Sequence, residues 1–145
     1  MPYPEEWVRP AREELIRLGV QELCTPDDVD KALKETSGTI MVVVNSICGC
    51  AAGKARPGIA RALQEEPRPD LVTTVFAGQD MEATTRAREY FLPYPPSSPS
   101  IALLRDGKLV YMMQRHQIES RESDAIASDL REAFQEYCQP VSEKK

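Results

Sequence analysis

Ile40-Met41-Val42-Val43-Val44-Asn45-Ser46-Ile47-Cys48-Gly49-Cys50-Ala51-Ala52 passes from an apolar run into two closely spaced thiols. Ile40–Val44 is mostly β-branched and does not alternate with polar residues. That is the pattern of a short strand buried on both faces, as in the middle of an α/β sheet. Residues 51–63 that follow read as a helix, and Pro57 inside them predicts a kink. The thiols therefore fall where a buried strand hands over to a helix amino terminus. Open α/β sheets bind ligands beyond the carboxyl ends of their strands.

The flanking sequence supplies the rest of such a sheet. Upstream, Trp7, Val8, Ala11, Leu15 and Leu18 fall near helical spacing, and Gly19 stops the pattern. They predict a helix over about 4–18, with Pro10 either inside it or delaying its start. Thr25-Pro26-Asp27-Asp28 opens a second helix: Thr25 caps, Pro26 suits the first helical position, and the aspartates suit the positive end of the dipole. Val29, Ala32 and Leu33 form its buried stripe, and Gly38 ends it. Downstream, Leu71–Phe76 reads as a strand, and Asp80 as the cap of a helix over 81–91. The segment Pro93–Pro99 is a loop; its Tyr94 and the preceding Phe91 receive no assignment. Ile101–Leu104 and Leu109–Met113 flank Asp106-Gly107, a strong hairpin signal. A last helix runs from Ser120 or Ser123 to Tyr137, with Ile126, Leu130, Phe134 and Tyr137 on one face and Pro140 marking its end. The order α-α-β-α-β-α-β-β-α predicts one α/β domain over residues 1–145. Its core is a mixed sheet of about four strands flanked by helices, with an extra N-terminal helix.

A chain of 145 residues buries about 68–70% of its unfolded surface, so its core needs neither disulfide nor metal. The net charge of -5, carried by interspersed charges, argues against nucleic acid or an anionic membrane as partner. No apolar run approaches the roughly 20 residues that span a bilayer. Met1–Trp7 lacks a basic region followed by an apolar stretch. These features predict a cytoplasmic protein. Persistent disulfides are rare in that compartment, so the four cysteines are expected to be catalytic, metal-binding or buried.

The attacking species in disulfide exchange is the thiolate, so a redox site must lower a thiol pKa from about 8.5. A helix amino terminus does this with unpaired N–H groups and a partial positive charge. Cys48 is placed to be the more exposed, more acidic nucleophile, and Cys50, slightly inside the helix, the resolving thiol. Lys54 and Arg56 are candidate sources of positive potential. Gly49 relaxes the backbone limits on the tight ring that a Cys48–Cys50 disulfide would close. The strain of that ring favours reduction. A cycle through Cys48 alone, by a mixed disulfide with a small thiol, avoids the strain. Two other readings stay open: a copper or zinc carrier using the same thiols, and a non-catalytic interaction module. Zinc would need ligands from Cys24, Cys138, His116 or carboxylates, none at paired spacing, and no metal is predicted. Cys24 and Cys138 read as buried small hydrophobes, and His116 as a surface or loop residue.

The thiol loop between a buried strand and a kinked helix, Ser98-Pro99-Ser100 before a strand, and the Asp106-Gly107 hairpin together resemble the thioredoxin fold. Its cis-proline precedes the third strand and faces the redox cysteines, a place that Pro99 takes by order. The chain departs from ordinary thioredoxin in the Pro93–Pro96 insertion and in lacking Trp-Cys-x-x-Cys. Asn45-Ser46-Ile47-Cys48-Gly49-Cys50-Ala51, with Gly78-Gln79-Asp80 and the segment Pro95–Ser100, is similar to the bacilliredoxin family over nearly the whole chain. That resemblance implies removal of bacillithiol from protein mixed disulfides, with weak general disulfide reductase or isomerase activity. Cys48 would attack and Cys50 resolve, while Pro99, Ser98, Ser46 and Gly49 would contact substrate. The expected partners are bacillithiolated client proteins and low-molecular-weight thiols. No tightly bound cofactor is expected, and bacillithiol is the co-substrate.

Overall fold

A computed structural model describes residues 3–138. In chain order the elements are α1 (Glu5–Ile16), β1 (Gln21–Glu22), α2 (Pro26–Glu35) and β2 (Thr39–Asn45). A π-helical turn (Ala51–Ala55) then leads into α3 (Arg56–Ala62), followed by β3 (Leu71–Phe76) and α4 (Met81–Glu89). The hairpin β4 (Ser100–Arg105) and β5 (Lys108–Met113) precedes α5 (Arg115–Glu119) and α6 (Ser123–Tyr137). The sheet has five strands in the order β1-β3-β2-β4-β5. β2 and β3 run parallel; β4 is antiparallel to both β2 and β5.

Every residue of β2 is buried, which is why its sequence carries no polar alternation. Side chains alternate across a strand, and both faces are covered. Met41 and Val43 join Ile59, Ile126, Leu130 and Phe134 beneath α3 and α6. Ile40, Val42 and Val44 join Val29, Leu33, Ala83 and Phe91 beneath α2 and α4.

Local signals explain most boundaries. Thr25 and Asp28 form a reciprocal capping box at α2, with Pro26 at its first turn. The kink expected near Pro57 is the π turn just before it. Pro57 has no N–H to offer the Gly53 carbonyl, and the Arg56 N–H reaches back five residues to the Ala51 carbonyl.

Several expectations are corrected. The sheet has five strands rather than about four, because β1 is two residues long and carries no periodic signal. Trp7, which falls near helical spacing with the others, is 60% exposed; Val8, Ala11 and Leu15 make the buried stripe of α1, and α1 runs through Pro10. Asp80 precedes α4 but gives it no side-chain cap; its carboxylate accepts from Arg12 at 2.8 and 3.1 Å. Ser120 closes α5, an element not foreseen. Pro140 lies outside the described residues. Among the described residues no helix is long and apolar enough to cross a membrane.

The helical layer behind the thiols depends on Gly58. A Cβ built there would stand 2.7 Å from Ile126 Cγ2 and 3.2 Å from the Ser123 carbonyl oxygen, so α3 and α6 meet through the missing side chain. Gly58→Val is expected to destabilise the fold by about 1–3 kcal/mol through overpacking, with partial recovery when Ile126→Ala is added. Denaturant midpoints of the two variants check this; an unchanged midpoint for Gly58→Val would show that α6 yields freely.

Candidate active site

The strand directions gather one set of loops at one end of the sheet. β2 and β3 finish there, at Asn45 and Phe76. Antiparallel β4 begins beside the end of β2, with Ser100 opposite Val44. β5 returns to the same end, with Met113 opposite Ile101. Ser46–Cys50, Ala77-Gly78, Ser97–Pro99 and Arg115 are therefore neighbours although nearly 70 residues apart in sequence.

At this end Cys48 takes the cap position of a helix. Its carbonyl accepts the Ala52 N–H at 3.1 Å, and helical conformation begins at Gly49. The N–H groups of Cys50 and Ala51 act on its sulfur, as a capping side chain's acceptor requires. Ser46 Oγ lies 3.0 Å from Cys48 Sγ and accepts the Cys48 N–H at 3.4 Å. Burial pushes the Cys48 thiol up. The Ser46 hydroxyl, the two N–H groups and the Arg115 guanidinium outweigh it, and the thiol sits below its ordinary value. Cys50 is half-buried and packs against the core under α3 and α6.

The turn itself is braced from below by Arg56, a buried side chain. Its Nη1 donates to Asn45 Oδ1 at 3.0 Å and to the Ser46 carbonyl at 2.9 Å, and its Nε to Glu14 at 2.8 Å. Asn45 Oδ1 also accepts the Ser46 N–H, and Asn45 Nδ2 donates to the Ala11 carbonyl. Arg56 thus holds the loop's backbone. Lys54 donates to the Glu119 carbonyl at 2.6 Å. The guanidinium that acts on Cys48 is Arg115, which no local motif marks. The hairpin register held the signal: if Met113 faces Ile101, Arg115 must lie beside Pro99.

The Ser98–Pro99 peptide is cis. Ser98 and Ser46 line a cleft of about 300 Å³ together with Cys48, Gly78, Arg88 and Arg115. Gly49 is exposed, with open space where a Cβ would stand. The reduced chain makes no steric demand for glycine there; the tight-ring argument applies only to an oxidised pair. All four cysteines are free thiols. Cys24, expected to be buried, is exposed, because its backbone N–H turns inward to the α2 capping carboxylate of Asp28 at 3.0 Å. Partial burial, then the nearby Asp80 and Glu22, raise its pKa. Cys138 is half-buried against the core, and burial pushes it up to about 11. His116 is exposed on α5. Among the described residues, no three His, Cys, Asp or Glu side chains stand together where they would hold a metal ion.

Comparison with known proteins identifies the family. The family model described as disulphide isomerase matches residues 3–138. The bacilliredoxin of Koribacter versatilis (strain Ellin345) is 59% identical over 136 residues, covering 94% of each chain. A bacilliredoxin of Geobacillus kaustophilus is 53% identical over 140 residues, covering 97% of this chain and 96% of its own. Among solved structures, Fasciola hepatica thioredoxin aligns with a TM-score of 0.55 at 22% identity, over 81% of this chain and 99% of its own. Halobacterium salinarum thioredoxin (N21Q mutant) aligns with a TM-score of 0.56 at 15% identity, over 83% of this chain and 92% of its own. The chain belongs to the bacilliredoxin family, thiol–disulfide oxidoreductases built on the thioredoxin fold.

Proposed function

We propose that this oxidoreductase removes bacillithiol from protein mixed disulfides in a reducing cytoplasm, with Cys48 as nucleophile and Cys50 as resolving thiol. The observation that carries the reading is the Cys48 sulfur itself. It sits at a helix cap, 3.0 Å from the Ser46 hydroxyl, with its pKa lowered and a small cleft beside it. In the first step the Cys48 thiolate attacks the bacillithiol sulfur of the mixed disulfide. A Cys48–bacillithiol disulfide forms, the client–bacillithiol S–S bond breaks, and the client leaves as a thiolate that takes a proton from water. Cys50, as its thiolate, then attacks Cys48, closing the internal disulfide and expelling bacillithiol. A second molecule of bacillithiol can instead attack the bound one and leave as the symmetrical disulfide. When the internal disulfide forms, two equivalents of a small thiol restore the dithiol. Ser46 and Ser98 line the cleft that takes the mixed disulfide, with Gly49 and Pro99 adjoining Cys48 and Ser98 in the chain. The cap arrangement supports Cys48 as the attacker, since a leaving or attacking sulfur is stabilised as its anion there.

Cys48→Ser is expected to reduce release of bacillithiol from a modified client to the uncatalysed rate. Cys50→Ser is expected to keep the first step and accumulate the Cys48–bacillithiol adduct, seen by mass spectrometry as a shift of one bacillithiol. Full activity in Cys48→Ser would sink the mechanism.

The lowered pKa sets the direction of the pH response. The reactive thiolate is lost as pH falls through the Cys48 pKa, so alkylation by iodoacetamide should reach half its maximal rate below pH 8.5, the ordinary cysteine value. Ser46→Ala removes a hydrogen bond worth ~1 kcal/mol, and alkylation at pH 7 is expected to slow about five-fold. An unchanged rate would mean that the hydroxyl does not stabilise the thiolate.

A further inference from the structure

The chain is acidic overall, with a net charge of -5, yet the cleft beside Cys48 is lined by two arginines and no carboxylate. Each guanidinium is tied to the loop that carries Pro99. Arg88 Nη2 donates to the Ser97 carbonyl at 3.4 Å, and Arg115 Nη1 to the Ser98 carbonyl at 3.0 Å. The Arg115 backbone N–H donates to Ser97 Oγ at 3.3 Å. A guanidinium has five N–H donors, so these bonds fix the heads and leave most donors unspent. Among the described residues Arg88 has no carboxylate partner, and its Nε is shut off from solvent without an acceptor. Burial alone acts on its pKa, pushing it down with no anion opposing. Arg115 does have a partner: the exposed Glu119 of α5, 3.4 Å from Nε. That pair draws on the side of the fork away from the Ser98 bond.

Two cations tethered at the wall of a small cleft concentrate anions there. The planar fork of arginine suits carboxylates in particular. The cleft volume of about 300 Å³ is at the small end of ligand sites, too small for a folded client. We propose that Arg88 and Arg115 form a carboxylate-recognition subsite that holds the anionic end of a small thiol while its sulfur meets Cys48. This rests on the reading of Cys48 as the thiol that accepts a low-molecular-weight thiol. It adds that the accepted thiol is chosen by carboxylates on its end remote from sulfur.

The test uses the full reduced chain and two mixed disulfides with the same leaving group, 2-thiopyridone. One carries mercaptosuccinate, a dicarboxylate, and the other neutral 2-mercaptoethanol. For each, the second-order rate constant for thiopyridone release by the reduced protein is divided by the rate constant of the uncatalysed reaction with dithiothreitol, which removes intrinsic differences in reactivity. Wild type is expected to prefer the mercaptosuccinyl disulfide at least ten-fold by this ratio. Arg88→Met and Arg115→Met are each expected to lower the preference about ten-fold, and Arg88→Lys to restore part of it. Arg115→Met also removes charge from Cys48 and slows both substrates, so the ratio is the readout. The rate with the neutral disulfide reports in the same experiment that each variant is folded. A wild-type ratio near one, or an Arg88→Met protein with undiminished preference, would overturn the subsite while leaving the exchange activity standing. No reaction with either disulfide would overturn the Cys48 reading and the subsite with it.

Discussion

Arg56 carries a full charge into the edge of the core and spends it on the backbone where β2 ends. Its hydrogen bonds to Asn45 and to the Ser46 carbonyl fix the direction in which the chain leaves the sheet. Its ion pair with Glu14 ties that turn to α1. Breaking a buried pair by removing one partner commonly costs 3–5 kcal/mol, because the other charge or acceptor is left without compensation. Here the Glu14 end is exposed to solvent, and the buried acceptors are neutral, so the cost falls mainly on the two loop oxygens. Without this brace Ser46 has no fixed place from which to meet the Cys48 sulfur, and the helix that begins at Gly49 has no fixed cap. A cation usually expected at a thiolate site thus works one layer below it, and the cation that acts on the sulfur arrives from a different part of the chain.

That exchange of roles shows where sequence reasoning succeeds and where it stops. The buried strand, the capping box at Thr25, the hairpin at Asp106-Gly107 and the thiol pair at a helix start are all local patterns, and each was readable in place. Arg56 and Arg115 differ only in what surrounds them, and surroundings come from sheet register. Asp80 illustrates the same limit: its position favours a cap, but Arg12 competes for the carboxylate and wins, since a charge-assisted bidentate contact outweighs one bond to a backbone N–H. Trp7 fell on helical spacing yet lies outward, because Val8, Ala11 and Leu15 already form the buried stripe of α1. Cys24 was read as buried by residue type alone, and the capping geometry at α2 turned it out. β1 could not be read because two residues carry no period.

Cys24, Cys48 and Cys138 are separated chemically as well as in the chain. Cys24 and Cys138 are pushed toward the protonated form and Cys48 toward the anion. Burial opposes ionisation at all three. At Cys138 one donor, the Thr39 hydroxyl, does not offset burial; at Cys48 a hydroxyl two residues back, two backbone N–H groups two and three residues ahead, and the distant Arg115 together outweigh it. Arg115 apart, the arrangement asks little of the rest of the chain, provided that the turn after Asn45 is held.

The cleft also constrains how a reaction at Cys48 unfolds in space. Displacement at a disulfide sulfur requires the entering, central and departing sulfurs to lie in a line. One side of the Cys48 sulfur is occupied by Ser46 and the helix start, and the other opens on the cleft of about 300 Å³. If the central sulfur belongs to the small thiol inside the cleft, the line through it points outward, and the departing sulfur is the client's. On the proposed reading, the shape of this end of the sheet favours keeping the smaller half of an unsymmetrical disulfide and releasing the larger.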